Sequence, residues 1–192
     1  NRSSGRMGYA VAEAAIARGH DVVLISGPVA IPPPEGARVV PVTTAREMLE
    51  AVETHLPWAE ALVMCAAVAD WRPVRVRAFK IKKKGAPPLI RLTRTPDILS
   101  AIASRKGDRI FVGFAAETGS RHLAREAERK RKEKNLDLVV ANDVTAPGAG
   151  FEVETNQVLF VTEAGIERLP LMSKREVGDR IIRWIEESAS RR

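Results

Sequence analysis

Apolar residues recur along this chain in two alternating rhythms. From the residues after Gly5 to about Arg18 they return at helical spacing through Ala10, Val11, Ala14 and Ala15, and Gly19 stands just past the end. Asp21–Ser26 is a short apolar run closed by Gly27 and Pro28, which predicts a strand. Past the Pro-rich loop Ile31–Gly36, Val39–Val42 predicts another, and Thr44 is placed to cap a helix carrying Met48, Leu49 and Val52. Ala61–Ala67 reads as a strand buried on both faces, as in a parallel sheet. Weaker alternation over Arg72–Arg77 and Leu89–Leu92 flanks a turn at Gly85–Pro88. Thr95-Pro96-Asp97 opens a helix through Ser104, with Thr95 suited to the cap, and Ile110–Ala115 is a second buried strand. A charged helix follows from Gly119 to about Lys134, then a strand at Leu138–Ala141 ending in Asn142-Asp143. In the last quarter, Gln157–Thr162 and Ile166–Leu169 flank Glu163-Ala164-Gly165 as a hairpin. A final helix from Ser173 to about Ser188 aligns Val177, Ile181 and Ile185 on one face. Repeated strand–helix units with short links predict one α/β domain over residues 1–192: a three-layer, Rossmann-like sheet with helices on both faces, closed by a hairpin and a helix.

Composition narrows this reading. With 192 residues, 45% hydrophobic and 29% charged, the chain has enough apolar material for a core, which excludes a disordered or collagen-like chain. The longest apolar run, Ala61–Ala69, is well short of the roughly 20 residues of a membrane-spanning helix. No signal peptide is recognisable at the start. A lone cysteine, Cys65, excludes an internal disulfide framework or a Cys-rich zinc site, and a reducing, cytoplasmic location is expected. The net charge of +7 has one origin. Arg72, Arg75, Arg77, Lys80, Lys82, Lys83 and Lys84 lie in one stretch without an acidic residue, and the other 24 basic residues balance the 24 acidic ones. Such a segment suits a polyanion, whether a nucleoside triphosphate or a nucleic acid, and it equally suits a solvated edge that discourages sheet aggregation.

Several positions carry candidate chemistry. Ser3-Ser4-Gly5-Arg6-Met7-Gly8 leads into the first helix, where small residues let a phosphate approach backbone N–H groups; Ser3 or Ser4 as a plain helix cap is the alternative. The glycine fingerprint of a dinucleotide fold is incomplete here, and the next strand ends in Ser26-Gly27 rather than an acid, which disfavours an NAD(P)-linked oxidoreductase. Asp70 follows a central strand at the edge where open α/β sheets collect ligands, and suits Mg²⁺, a sugar hydroxyl or a turn cap. Lys130 and Lys134 stand one helical turn apart, able to converge on a ligand or to face solvent. Cys65 reads as a packing thiol, and His20, His55 and His122 have no metal-ligand spacing. A nucleic-acid module is disfavoured because only Trp71 and Phe79 interleave with the cations.

Six motifs in order then resemble one family. They are N-x-S-S-G-x-M-G at Asn1–Gly8, A-A-V-A-D at Ala66–Asp70, K-I-K-K at Lys80–Lys83, T-P-D-I at Thr95–Ile98, G-F-A-A-E-T at Gly113–Thr118, and K-N-L-D with A-N-D between Lys134 and Asp143. Together they resemble bacterial phosphopantothenate–cysteine ligase, often the C-terminal half of a bifunctional coenzyme A biosynthesis protein behind a flavin-dependent decarboxylase. FMN would enter only with such a decarboxylase. The resemblance implies activation of 4′-phosphopantothenate by CTP with Mg²⁺, then capture of the acyl-cytidylate by L-cysteine. It implies that Asn1 and Lys80 carry the chemistry. It places Met64, Cys65, Ala66, Asp70, Thr95, Pro96, Asp97, Ile98, Phe114, Lys130 and Lys134 at the nucleotide, and Asp70 also at the metal. Ser3, Ser4 and Gly5 become candidates for substrate phosphate. It further implies a homodimer joined through strands near the basic segment, with no nucleic acid or membrane as partner. Family members carry one more β-strand and a Gly/Thr-rich loop ahead of the asparagine, so a leading strand is expected to be missing here.

Overall fold

The computed structural model describes residues 3–80, 89–117, 122–143 and 154–192. Asn1, Lys82, Lys83, Lys84 and Thr118, all named above, lie outside the described residues. The elements in chain order are α1 (Arg6–Ala17), β1 (Val23–Ser26), β2 (Arg38–Pro41), α2 (Ala45–His55), β3 (Ala61–Met64), β4 (Trp71–Pro73), β5 (Leu92–Arg94) and α3 (Ile98–Ile102, extended by a 3₁₀ turn at Ala103–Arg105). They continue with β6 (Ile110–Glu117), α4 (Leu123–Glu133), β7 (Leu138–Asp143), β8 (Thr155–Asn156), β9 (Val158–Thr162), β10 (Gly165–Arg168), β11 (Met172–Ser173) and α5 (Lys174–Ala189).

The central sheet runs β10-β9-β7-β6-β3, with β3, β6 and β7 parallel and the hairpin β9–β10 added antiparallel. Strand periodicity divides its side chains between two cores. Val139 and Ala141 of β7, with Leu159 and Val161 of β9, face the core under α2, α3 and α4. Leu138 and Val140, with Val158 and Phe160, face the core under α1 and α5. The three predicted layers are therefore present. Thr44 caps α2 and Ser173 caps α5, each in a reciprocal box with a glutamate three residues on.

Several boundaries differ from the sequence expectation. The central strand expected over Ala61–Ala67 ends at Met64, opposite Gly113. The basic region forms a short antiparallel ribbon, β4 with β5, registered by Trp71 opposite Arg94, whose guanidinium lies 5.6 Å from the indole centroid. Its second strand is therefore shifted past Leu89–Leu92, toward the arginine that stacks.

Helices α1 and α5 run side by side in the same direction, with Ala10 against Gly178 and Arg18 bonded to Glu186 eight residues further along both. A Cβ on Gly178 would sit 2.7 Å from the Ala10 carbonyl oxygen and 3.1 Å from the Val11 nitrogen. Those atoms are backbone and cannot swing aside. Gly178→Ala is expected to lose about 2 kcal/mol of stability in urea denaturation: overpacking costs up to about 3 kcal/mol, and the gain in helix propensity returns only about 1. An equally stable variant would show that the two helices separate without cost.

Strands β1 and β2 pair with each other in parallel but, among the described residues, form a sheet separate from the other strands. The start of α1 lies over the carboxyl ends of both β1 and β3: Tyr9 Oη is 3.0 Å from Ser26 Oγ, and a Cβ built on Gly8 would be 3.5 Å from Cys65 Cβ. Between β1 and β3 is a slot, part of a cavity of about 2170 Å³ that also reaches the carboxyl end of the sheet. Leu24, Ile25, Leu62 and Val63 border it and are only partly buried, whereas Val112 and Val139 are fully covered.

Candidate functional site

The site is assembled at the carboxyl edge of the parallel strands, where chain reversals leave backbone groups facing one cavity. The first wall is the entry to α1. Its cap is Gly5 rather than Ser3 or Ser4, and no side chain caps the first turn. Gly5 has φ +76°, and an added Cβ would meet Val29 at 2.7 Å, so only glycine fits this turn against the loop after β1. Ser3 Oγ instead accepts a weak bond from the Gly5 N–H at 3.4 Å. Ser3, Ser4 and Gly5 all border the cavity.

The second wall is the end of β3. Met64, Cys65 and Ala66 line the cavity, and burial pushes the Cys65 thiol far up from its ordinary range, which makes it a packing group rather than a nucleophile. Asp70, an exposed carboxylate, stands four residues beyond Ala66 on the same wall. Its carbonyl accepts the Thr95 N–H at 2.9 Å, and the Thr95 hydroxyl donates to the Ala69 carbonyl. Thr95 thus ties the loop after β3 to the entry of α3. The cap of α3 is Asp97, whose Oδ1 accepts from the Ser100 N–H. Thr95 does not take the expected cap: its hydroxyl is engaged by the Ala69 carbonyl, and the Asp97 carboxylate caps the helix instead.

The third wall comes from β6 and α4. Phe114 borders the cavity, and Lys130 Nζ donates to the Phe114 carbonyl. Lys134 is turned instead to Asp97 at 2.8 Å. Burial works to raise the Asp97 carboxyl, but hydrogen bonds from Lys134 and the Ser100 N–H outweigh it and hold it below the ordinary range.

Ser3, Ser4, Gly5, Met64, Cys65, Ala66, Asp70, Thr95, Pro96, Phe114 and Lys130 are therefore brought to one cavity. Ile98 is buried in the core, so only its backbone is available at the entry of α3. Asp97 and Lys134 pair beside this group, and Lys80 lies exposed on the arm beyond β4, whose Val76 reaches the cavity rim. Two buried polar residues of the cavity were not singled out in the sequence, Asn156 in β8 and Lys174 at the start of α5; Asn142 at the end of β7, also buried, entered there only within the A-N-D motif. Lys174 carried a signal nonetheless, because a cation in the first turn of a helix opposes the helix dipole.

Residues 1–189 match the DNA/pantothenate metabolism flavoprotein C-terminal domain family. The chain is 45% identical to the coenzyme A biosynthesis bifunctional protein CoaBC of Bacillus subtilis over 96% of its own length and 46% of that protein. It is 41% identical to CoaBC of Escherichia coli over 95% of its length and 45% of that protein. It thus spans about half the length of these curated relatives. Among solved structures, a crystal structure of the C-terminal domain of CoaBC superposes with a TM-score of 0.84 at 39% identity, covering 100% of this chain and 88% of that one.

Proposed function

The chain belongs to the family of DNA/pantothenate metabolism flavoprotein C-terminal domains, and from that premise we propose that it joins 4′-phosphopantothenate to L-cysteine through an acyl-cytidylate made from CTP. The observation that carries this reading is the convergence of Ser3–Gly5, Met64–Ala66, Asp70, Thr95, Phe114 and Lys130 on one cavity at the carboxyl edge of the sheet.

A carboxylate oxygen of phosphopantothenate attacks the α-phosphorus of CTP. The bond to the bridging oxygen breaks, and its electron pair leaves with pyrophosphate. The cysteine amine then attacks the acyl carbon, loses a proton, and displaces CMP as the amide forms. Both reactants of the first step are anions, so the residues must screen charge before they can orient anything. Lys130 and the N–H groups at the uncapped start of α1 supply positive potential from opposite walls, and Lys80 adds an exposed cation from the arm. Phe114 and the Met64–Ala66 backbone form an apolar and hydrogen-bonding seat for a nucleoside. Asn1 is assigned to the acyl carbonyl in the second step.

Asp70 is the residue that would hold Mg²⁺. Among the described residues no group of three or more His, Cys, Asp or Glu forms a protein cage. One carboxylate supplemented by substrate phosphates is the usual donor set for this ion, and the metal would neutralise triphosphate charge.

The arm exposes Val76, Phe79, Leu89 and Ile90, an apolar set flanked by cations, and we assign it to a homodimer contact. No helix among the described residues is long and apolar enough to cross a membrane. The deciding experiment incubates the protein with phosphopantothenate, cysteine and either CTP or ATP, and follows products by mass spectrometry. Formation of phosphopantothenoylcysteine and CMP with CTP, and not with ATP, is expected. Tight, salt-sensitive RNA binding without that product would favour a nucleic-acid role instead.

A further inference from the structure

The root of the basic arm carries a pattern that the site above leaves unused. Strands β4 and β5 place Trp71 opposite Arg94, Arg72 opposite Thr93 and Pro73 opposite Leu92. The ladder extends inward, where the Thr95 N–H donates to the Asp70 carbonyl, and outward, where the Val74 N–H donates to the Arg91 carbonyl. Side chains alternate along paired strands, so residues opposite each other share a face. One face of the root therefore carries Trp71, Arg94, Pro73 and Leu92. The other carries Asp70 and Arg72 on one strand with Thr95 and Thr93 on its partner, and Val74 and Arg91 continue it outward.

Two opposite charges stand on that second face without meeting. Asp70 and Arg72 are two residues apart on one strand, about 7 Å along it, and both are exposed. Neither side chain forms an ion pair among the described residues, and the Arg72 guanidinium gives one long bond, 3.4 Å, to the Pro73 carbonyl. Arg94 is occupied on the other face by the Trp71 ring. The backbone beneath Asp70 is fixed, because the Thr95 hydroxyl and N–H take the carbonyls of Ala69 and Asp70 in turn. Of Arg72, Arg75, Arg77 and Lys80, Arg72 is the one that borders the cavity.

A carboxylate and a guanidinium side by side and unjoined suit a ligand that presents both signs. A lone anion would be repelled by Asp70, and a lone cation by Arg72. A metal-bound polyphosphate meets both: its metal takes the carboxylate, and its phosphate oxygens take the planar fork of guanidinium donors.

We propose that Arg72 binds the terminal phosphates of a metal-bound triphosphate whose metal is held by Asp70. The identity of that ligand as CTP rests on the ligase reading above. Arg72 is a binding residue in this assignment, on the part of the ligand that leaves as pyrophosphate.

Calorimetry on the full chain tests this with inorganic tripolyphosphate plus Mg²⁺, and with cytidine, for the wild type, Arg72→Gln, Arg72→Lys and Arg91→Gln. Arg72→Gln is expected to weaken magnesium tripolyphosphate about tenfold or more, the size of one charge-assisted hydrogen bond, and to leave cytidine unchanged. Arg72→Lys should recover only part of the loss, because an ammonium lacks the fork. Arg91→Gln removes the same charge two pairs further out, from a residue that does not border the cavity, and should cost much less. Combined with Asp70→Asn, the Arg72→Gln loss should not add in full, since both groups hold one ligand. Phenylglyoxal labelling of the wild type, read by peptide mass, is independent of any variant's folding: magnesium tripolyphosphate should shield Arg72 and leave Arg91 reactive. Absence of magnesium tripolyphosphate binding by the wild type, unaltered affinity in Arg72→Gln, an equal loss in Arg91→Gln, fully additive losses with Asp70→Asn, or an unshielded Arg72 would each overturn the assignment. Two further outcomes separate it from the ligase reading. Arg72-dependent binding without product formation leaves the phosphate contact standing and removes the ligase. Ligation by Arg72→Gln with wild-type KM for CTP and wild-type tripolyphosphate affinity does the reverse.

Discussion

Lys80→Gln in the full-length protein is expected to slow pyrophosphate release at saturating CTP by about 10²-fold or more, the loss seen when one preorganised charge-stabilising donor is removed from a reacting centre. The argument starts from the arm. Its two strands are rooted at Asp70 and Thr95, which border the cavity, and Trp71 stacked on Arg94 holds the root in register. Lys80 extends beyond Val76 at the rim, is exposed, and makes no ion pair among the described residues. An exposed lysine is inexpensive to move and loses little if it closes on substrate only as charge develops. Such an interaction acts on kcat more than on KM. Lys134 supplies the internal comparison. It is already committed to Asp97 at 2.8 Å, so Lys134→Gln should have a smaller effect on pyrophosphate release and a larger one on the ordering of the α3 entry. A Lys80→Gln enzyme within about threefold of wild type would remove Lys80 from the chemistry; a change in KM alone would reduce it to a binding contact.

How much of this was legible beforehand depends on the kind of residue. Regular apolar spacing located α1, α2, α5 and most strands, because β7 and β9 must present alternate residues to two cores and α1 must present a continuous face to α5, whereas α3 was read from its Thr-Pro-Asp opening and α4 from its charge. Turn residues were legible as turns but not as caps. Gly5 rather than Ser3 caps α1 because the loop after β1 passes too close for a side chain, and that approach depends on Val29, 24 residues away. Thr95 gave up its expected cap to Asp97 because its hydroxyl found a carbonyl distant in sequence, at Ala69. Asn156 and Lys174 escaped notice, and Asn142 was noticed only within a motif, because each stands in a pattern that makes polar residues look like surface. Asn142 ends a strand, Asn156 precedes one, and Lys174 follows a capping serine. Only the pairing of α1 with α5 through Gly178 shows that the start of α5 is covered.

An apolar strand of about five residues joined ahead of Asn1 is expected to fill the slot between β1 and β3 and raise stability by several kcal/mol. Both flanking strands bear on this. Among the described residues β1 pairs only with β2 and β3 only with β6, so each has an edge of backbone N–H and C=O groups turned toward the slot. Leu24, Ile25, Leu62 and Val63 remain partly buried beside it, although they lie in the interior layer of a three-layer fold. The start of α1 lies over the carboxyl ends of β1 and β3, and Ser3 and Ser4 line the cavity there, so chain entering α1 from the slot needs only the short loop already present. Strand, loop and α1 leading to β1 then form the right-handed unit that parallel sheets favour. Each large side chain buried contributes about 1.5–3 kcal/mol, against about 1–2 kcal/mol per residue to order the backbone; covering the exposed edges of β1 and β3 carries the balance toward folding. Comparison of the chain with and without the added strand should show a higher urea midpoint and a larger m-value, because more surface is exposed on unfolding, together with loss of binding to an apolar fluorescent dye. Equal midpoints and undiminished dye binding would show that β1 and β2 stand as a separate layer, and that the slot is part of the ligand cavity rather than the place of a strand.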